Sequence, residues 1–163
     1  MPNITLHGAQ FPRQEHSVVI LGDDLYVLGG ILPFDGTTYP TVNTVQKLNF
    51  ISKTWTEVAP TPAVLSHMNV AVVNGVIYYL GGLSVTATGG PFFWNASGAC
   101  ASYTPSSGNW TTLPDMPPGR VIGSAATLVV GETIYLPGGL LNTNLTNDEE
   151  ATTAMFTSYN VVT

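Results

Sequence analysis

Residues able to do chemistry are few in this 163-residue sequence. Three histidines, His7, His16 and His67, and one cysteine, Cys100, are the candidate metal ligands and nucleophiles. A thiolate metal site needs several cysteines and a disulfide needs two, so Cys100 reads as a buried strand thiol. His16 and His67 both precede a short β-rich run and occupy what looks like one repeat position, which favours packing over metal ligation. Nothing resembles a nucleophile elbow, although composition leaves a Ser-His-Asp arrangement open. Two further groups have useful chemistry. The loop carrying Phe34, Asp35 and Tyr39 is a candidate contact surface, and the triplet Phe92, Phe93 and Trp94 offers aromatic faces that stack on a sugar ring or anchor a peptide. Asp148, Glu149 and Glu150 would accept a cation or a basic partner. The plainer fates are an aromatic triplet folded under its own loop and a solvated acidic tip.

These groups are placed by a repeated cassette, Gly22-Asp-Asp-Leu-Tyr-Val-Leu-Gly-Gly30, Asn74-Gly-Val-Ile-Tyr-Tyr-Leu-Gly-Gly82 and Gly131-Glu-Thr-Ile-Tyr-Leu-Pro-Gly-Gly139. The doublets Gly29-Gly30, Gly81-Gly82 and Gly138-Gly139 recur at intervals of 52 and 57 residues, the length of a blade-sized all-β repeat. Before each cassette lies a β-rich run and a tight turn, of which Asn74-Gly75 best suits positive φ at both central positions. After it come a loop, a third strand and a fourth strand carrying Trp55 or Trp110. Leu48 and Tyr103 each stand 7 residues before their Trp, and Tyr159 is the corresponding third-strand aromatic of the last unit. Four short strands per unit form an up-and-down antiparallel sheet, the blade of a propeller.

The spacing predicts a single segment over 1–163. Residues 1–15 hold a leading fourth strand at Ile4-Thr-Leu6, 16–62 form blade 1, 63–118 form blade 2, and 119–163 form a blade 3 lacking its fourth strand. Three blades would be half of a six-bladed ring. The expected partner is a second copy completing the ring as a homodimer, or else a missing C-terminal half.

The doublets, third-strand aromatics and fourth-strand tryptophans resemble the kelch family of β-propellers across essentially the whole chain. Pro-Arg-Gln-Glu-His16, the segment from Trp55 and Gly123-Ser-Ala-Ala-Thr are similar, more narrowly, to the first half of fungal extracellular kelch proteins related to the galactose oxidase propeller. Leu48, Ile4 and Val64-Leu65 depart from the pattern. Galactose oxidase holds copper with two Tyr and two His, and no motif carrying those residues matches here. The Glu, Asp and His run of the iron-dependent plant branch is also missing. The resemblance therefore implies no cofactor and no transferable oxidase activity. Arg13 and Arg120 are expected between blades, as planar donors to carbonyls.

Only 9% of residues are charged and the net charge is −6, which disfavours nucleic acid and anionic membranes as partners. No apolar run approaches the roughly 20 residues of a membrane span, and no signal peptide is recognisable. Four sequons, at Asn3, Asn95, Asn109 and Asn144, together with the resemblance favour an extracellular parent. The functional expectation is a non-enzymatic module binding a protein or a carbohydrate through the face where the second-to-third-strand loops converge. The alternative is part of a secreted carbohydrate-binding or oxidase-like protein whose catalytic groups lie elsewhere.

Overall fold

Three two-residue turns start the three blades, and their backbone angles follow their sequences. Asn74 and Gly75 both take positive φ, 50° and 76°, the twist that lets strands leave a tight hairpin in register. At Gly22-Asp23 and Gly131-Glu132 only the glycine does, with φ of 60° and 59°. The structure, a computed structural model, describes residues 12–85, 90, 92–147 and 149–162. The expected leading strand at Ile4-Thr-Leu6, His7, Asn3 and Asp148 lie outside the described residues.

Blade 1 is an antiparallel sheet in chain order, β1 (Ser17–Leu21), β2 (Asp24–Leu28), β3 (Val45–Asn49) and β4 (Thr54–Val58). Blade 2 repeats it with β5 (Val70–Val73), β6 (Val76–Val85), β7 (Phe93–Thr104) and β8 (Asn109–Leu113). Blade 3 has β9 (Leu128–Val130), β10 (Thr133–Asn144) and β11 (Glu149–Asn160). Leu48 pairs with Trp55 and Tyr103 with Trp110, so the 7-residue spacing does place each third-strand residue opposite its tryptophan. The described residues form an all-β chain of successive antiparallel blades.

Strand length departs from expectation. In blades 2 and 3 the second and third strands run past the glycine doublet, with register shifts at Leu80/Gly82 and Pro137/Gly139 where the extra residue bends the strand. These extended hairpins then pair with each other, Asn142 with Asn95 and Asn144 with Phe93, which fuses the two blades into one seven-stranded sheet. Phe93, Trp94, Glu149 and Glu150, expected in loops, are therefore strand residues.

The doublets are where one blade seats on the next. A Cβ added at Gly29 would lie 2.3 Å from the Leu65 carbonyl oxygen, and one at Gly81 would lie 2.6 Å from that of Ile122. Leu65 and Ile122 belong to the segments leading into blades 2 and 3, so the backbones touch directly. Polar side chains then stitch the seam. Ser17 Oγ donates to the Met68 carbonyl at 2.7 Å. At the equivalent position Asn69, only 1% exposed, donates to the carbonyls of Leu80 and Ile122 and accepts from the Ala125 amide. Arg13 donates to the Gly29 and Thr44 carbonyls, within blade 1 rather than between blades, while Arg120 is exposed.

Gly138 differs in one respect. A Cβ there meets only the Thr153 carbonyl oxygen, at 3.3 Å. Both Gly29 and Gly138 have left-handed φ, which costs an L-residue about 1–2 kcal/mol, but Gly29 adds a backbone collision. Gly29→Ala should therefore lower the urea midpoint at least twice as much as Gly138→Ala. Equal losses would show that the collision is relieved by movement of the lead-in segment.

Candidate functional site

The segments leading into the three blades meet near the propeller axis, and the same backbone bend recurs in each. Glu15, His67 and Ser124 have φ of 55°, 51° and 53°. The His67 amide donates to the Glu15 carbonyl at 2.9 Å, and the Ser124 amide donates to the His67 carbonyl at 2.8 Å. This relay of backbone hydrogen bonds ties successive blades and fixes the three side chains beside one another. The bridges Gln14 to Ile31, Ser66 to Leu83 and Gly123 to Leu140 set the same register in each blade. Glu15, and not His16, is thus the counterpart of His67, and the alignment of the two histidines was out by one residue.

The side chains form a cleft of about 360 Å³ whose walls include Glu15, His67, Ser124, Glu150 and Thr152. His67 Nε2 lies 3.1 Å from Glu15 Oε2, and Nδ1 lies 3.0 Å from Ser66 Oγ. A neutral ring with its proton on Nε2 donates to Glu15 and leaves Nδ1 facing the Ser66 hydroxyl. Burial lowers the His67 pKa, and the carboxylates of Glu15 and Glu150 partly oppose that shift. Serine, histidine and carboxylate are thus in contact, yet Ser66 is fully buried and also reaches the Leu83 carbonyl, so it is a structural hydroxyl. The cleft presents two carboxylates, the hydroxyl residues Ser124, Thr152 and Thr153, and a neutral imidazole, a lining suited to an ammonium or guanidinium group.

The expected aromatic residues separate into two sets. Phe34, Tyr39 and Phe92 come together, with ring centroids 5.2 Å (Phe34 to Tyr39), 5.9 Å (Tyr39 to Phe92) and 6.3 Å (Phe34 to Phe92) apart. Phe34 is 49% exposed. Trp94 is instead 1% exposed, and its Nε1 donates to Thr41 Oγ1 at 3.0 Å. It holds a small core with Ile31, Leu83 and Leu140 beneath the loops and has no face free for a sugar ring. Asp35 Oδ1 accepts from the amides of Thr38 and Thr37, and these bonds lower its pKa while shaping the turn that presents Phe34. Glu149 and Glu150 are exposed at the start of β11, and Glu150 borders the cleft. Of the sequons, Asn109 is exposed at the start of β8, Asn144 is half-buried, and Asn95 sits in β7 between two paired strands.

Sequence reasoning missed Glu15 and Ser124. Both, like His67, stand 15 residues before the second glycine of their doublet, so counting back from the doublets finds all three. Equating the two histidines instead displaces the first repeat by one residue, since His16 stands 14 residues before Gly30 and His67 stands 15 before Gly82.

Repeated hairpins seated on one another through glycine doublets define a β-propeller. A family model described as the Kelch motif matches residues 12–62. Kelch-like protein terF of Aspergillus terreus is 60% identical over 164 residues, covering 100% of this chain and 35% of that protein. Kelch-like protein 23 of Homo sapiens is 28% identical over 142 residues, 85% of this chain and 23% of its own length. A solved structure titled Structure of YjhT superposes with a TM-score of 0.66 at 18% identity, over 94% of this chain and 54% of that one. The chain belongs to the kelch-repeat family and spans about a third or less of the two curated relatives described.

Folding lowers the His67 pKa, so the unfolded chain binds the proton more tightly, starting near its ordinary value of about 6.5. Stability from this group is present above that value and falls as the pH drops through it. His67→Gln should flatten the change in urea midpoint between about pH 7.5 and about pH 5.5. An unchanged slope would assign the pH dependence to other groups.

Proposed function

We propose that this chain is a non-enzymatic interaction module whose loop-bearing face binds a peptide segment carrying basic and aromatic residues. The observation that carries the reading is the convergence of Phe34 and Tyr39, from the β2–β3 connection, with Phe92, which precedes β7 in the next blade. Aromatic clusters drawn from separate loops give a rigid apolar anchor at low entropic cost. The carboxylates of Glu15 and Glu150 supply a second contact of defined sign at the axial cleft. The two features share a floor, since Leu140 lines the cleft and belongs to the small core that Tyr39 and Phe92 pack against.

Random-peptide display on the immobilised chain, with a glycan array in parallel, tests the reading. Selected peptides should be rich in Arg or Lys with aromatic neighbours. Their affinity should fall about tenfold in Phe34→Ala and in Glu150→Lys, and should weaken with salt. Peptides indifferent to both substitutions would place binding elsewhere on the chain. Glycan binding with no selected peptide would make the module a lectin, and copper or iron at one per chain would overturn the non-enzymatic reading.

A further inference from the structure

At the axis His67 has an oxygen against each ring nitrogen. Nε2 lies 3.1 Å from Glu15 Oε2, on the segment leading into blade 1, and Nδ1 lies 3.0 Å from Ser66 Oγ, on its own lead-in. Ser66 Oγ has a second acceptor in reach, the Leu83 carbonyl at 3.4 Å. A hydroxyl has a single hydrogen and cannot serve both Nδ1 and Leu83, so the protonation state of the ring decides where it points. With the ring neutral and its proton on Nε2, Nδ1 is an acceptor that competes with Leu83 for that hydrogen. A second proton, on Nδ1, ends the competition. Nε2–H then donates to Glu15, Nδ1–H to Ser66, and the Ser66 hydroxyl to Leu83, so every donor has an acceptor. Leu83 O keeps the Ser66 amide at 2.9 Å in either state, so turning the hydroxyl strands nothing. The ring is therefore built to hold two protonation states although its side chain is only 10% exposed.

The charged groups that act on the ring, among the described residues, are Glu15 and, near the start of β11, Glu150. The lead-in of blade 3 contributes the neutral Ser124, and β11 adds Thr152 and Thr153. His16, beside Glu15 in sequence, is exposed and turns its Nδ1 to the Arg13 carbonyl at 3.2 Å. We propose that the cleft is a proton-gated cation site, in which a second proton on His67 makes the imidazolium the partner of Glu15 and expels a ligand's guanidinium or ammonium group. This regulation rests on the cationic reading of the cleft proposed above. A neutral ring leaves two carboxylates facing the ligand, and protonation cancels half of that charge at the carboxylate the ligand needs. Proton and ligand compete for the same negative cleft, so each weakens the other by the same factor. The direction follows from burial, which lowers the His67 pKa against the pull of Glu15 and Glu150. The site is open at neutral pH and closes below the ordinary histidine value of about 6.5.

The probe is N-acetyl-arginine amide, whose guanidinium stays charged throughout and which carries no other titrating group. Its binding to the full chain and the titration of the His67 ring are followed by NMR between about pH 7.5 and about pH 5, above the ordinary carboxylate range. The dissociation constant should rise about tenfold over that interval, as the imidazolium repels the probe. By reciprocity, saturating probe should move the midpoint of the ring titration down by about one pH unit. In His67→Gln, whatever its absolute affinity, binding at the two ends of the interval should be equal. A probe that binds without moving the ring titration overturns the gating and leaves the cation site standing. So does a pH dependence that survives in His67→Gln, which would belong to Glu15 and Glu150. If that variant fails to fold, the ring titration of the unmodified chain with and without probe still decides. No binding near neutral pH at about ten millimolar probe removes the cationic reading of the cleft and the gating with it.

Discussion

Everything in this fold depends on backbone meeting backbone at the glycine doublets. The lead-in segment of each following blade crosses the end of the second strand so closely that its carbonyl oxygen occupies the position of the missing Cβ. That contact brings Leu65 O within reach of the Gly30 amide at 3.1 Å, and it sets the distance at which Ser17 and Asn69 can donate across the seam. It also brings the lead-in segments together at the axis, where the Glu15, His67 and Ser124 backbones bond in sequence. A larger residue at the doublet would push the blades apart and break these bonds together. Such a contact couples local backbone freedom directly to the placement of the functional face.

Outside the doublets, the seams are filled by aromatic side chains whose identities follow the same register. Tyr26 with Tyr103, and Tyr78 with Tyr159, place a second-strand tyrosine of one blade against a third-strand tyrosine of the next. Burial raises the Tyr26 pKa to about 12, so the ring stays neutral and serves as apolar surface. Trp110 adds apolar area and a hydrogen bond to the preceding blade's carbonyl, which a phenylalanine would not make. The same atom of Trp55 is buried without a partner among the described residues.

The sequence made the blades legible because their requirements are local. Gly-Gly, Asn-Gly and the Tyr-to-Trp spacing each encode a turn, a close approach or a pairing that spans a few residues. What it left hidden was set by long-range pairing. Nothing local to Phe93-Trp94 says that it will pair with Asn144 and Thr143 some fifty residues later, and that pairing turned an expected loop into a buried strand. Glu150 looked like a loop tip for a different reason, because the β10–β11 hairpin runs on past the glycine doublet and pairs this residue with Thr143. The one-residue error over His16 arose from matching two histidines by residue type, whereas register there is fixed by the bridges beside the doublets.

At the axis a repeated backbone carries unrepeated side chains. Glu15, His67 and Ser124 share one strained conformation, one hydrogen-bonding role and one position, yet they are an acid, an imidazole and a hydroxyl. A purely structural position would have no need of such variety, because the backbone relay uses only amides and carbonyls. The chemical differences are therefore available to a ligand, and they are arranged with the acidic residue and the imidazole already paired at 3.1 Å. On the proposed reading, a cationic group in the cleft competes with the imidazole N–H for Glu15 and also meets Glu150, which lines the same cleft. Burial keeps His67 neutral against the pull of Glu15, and the contact between them fixes the Glu15 carboxylate at the cleft.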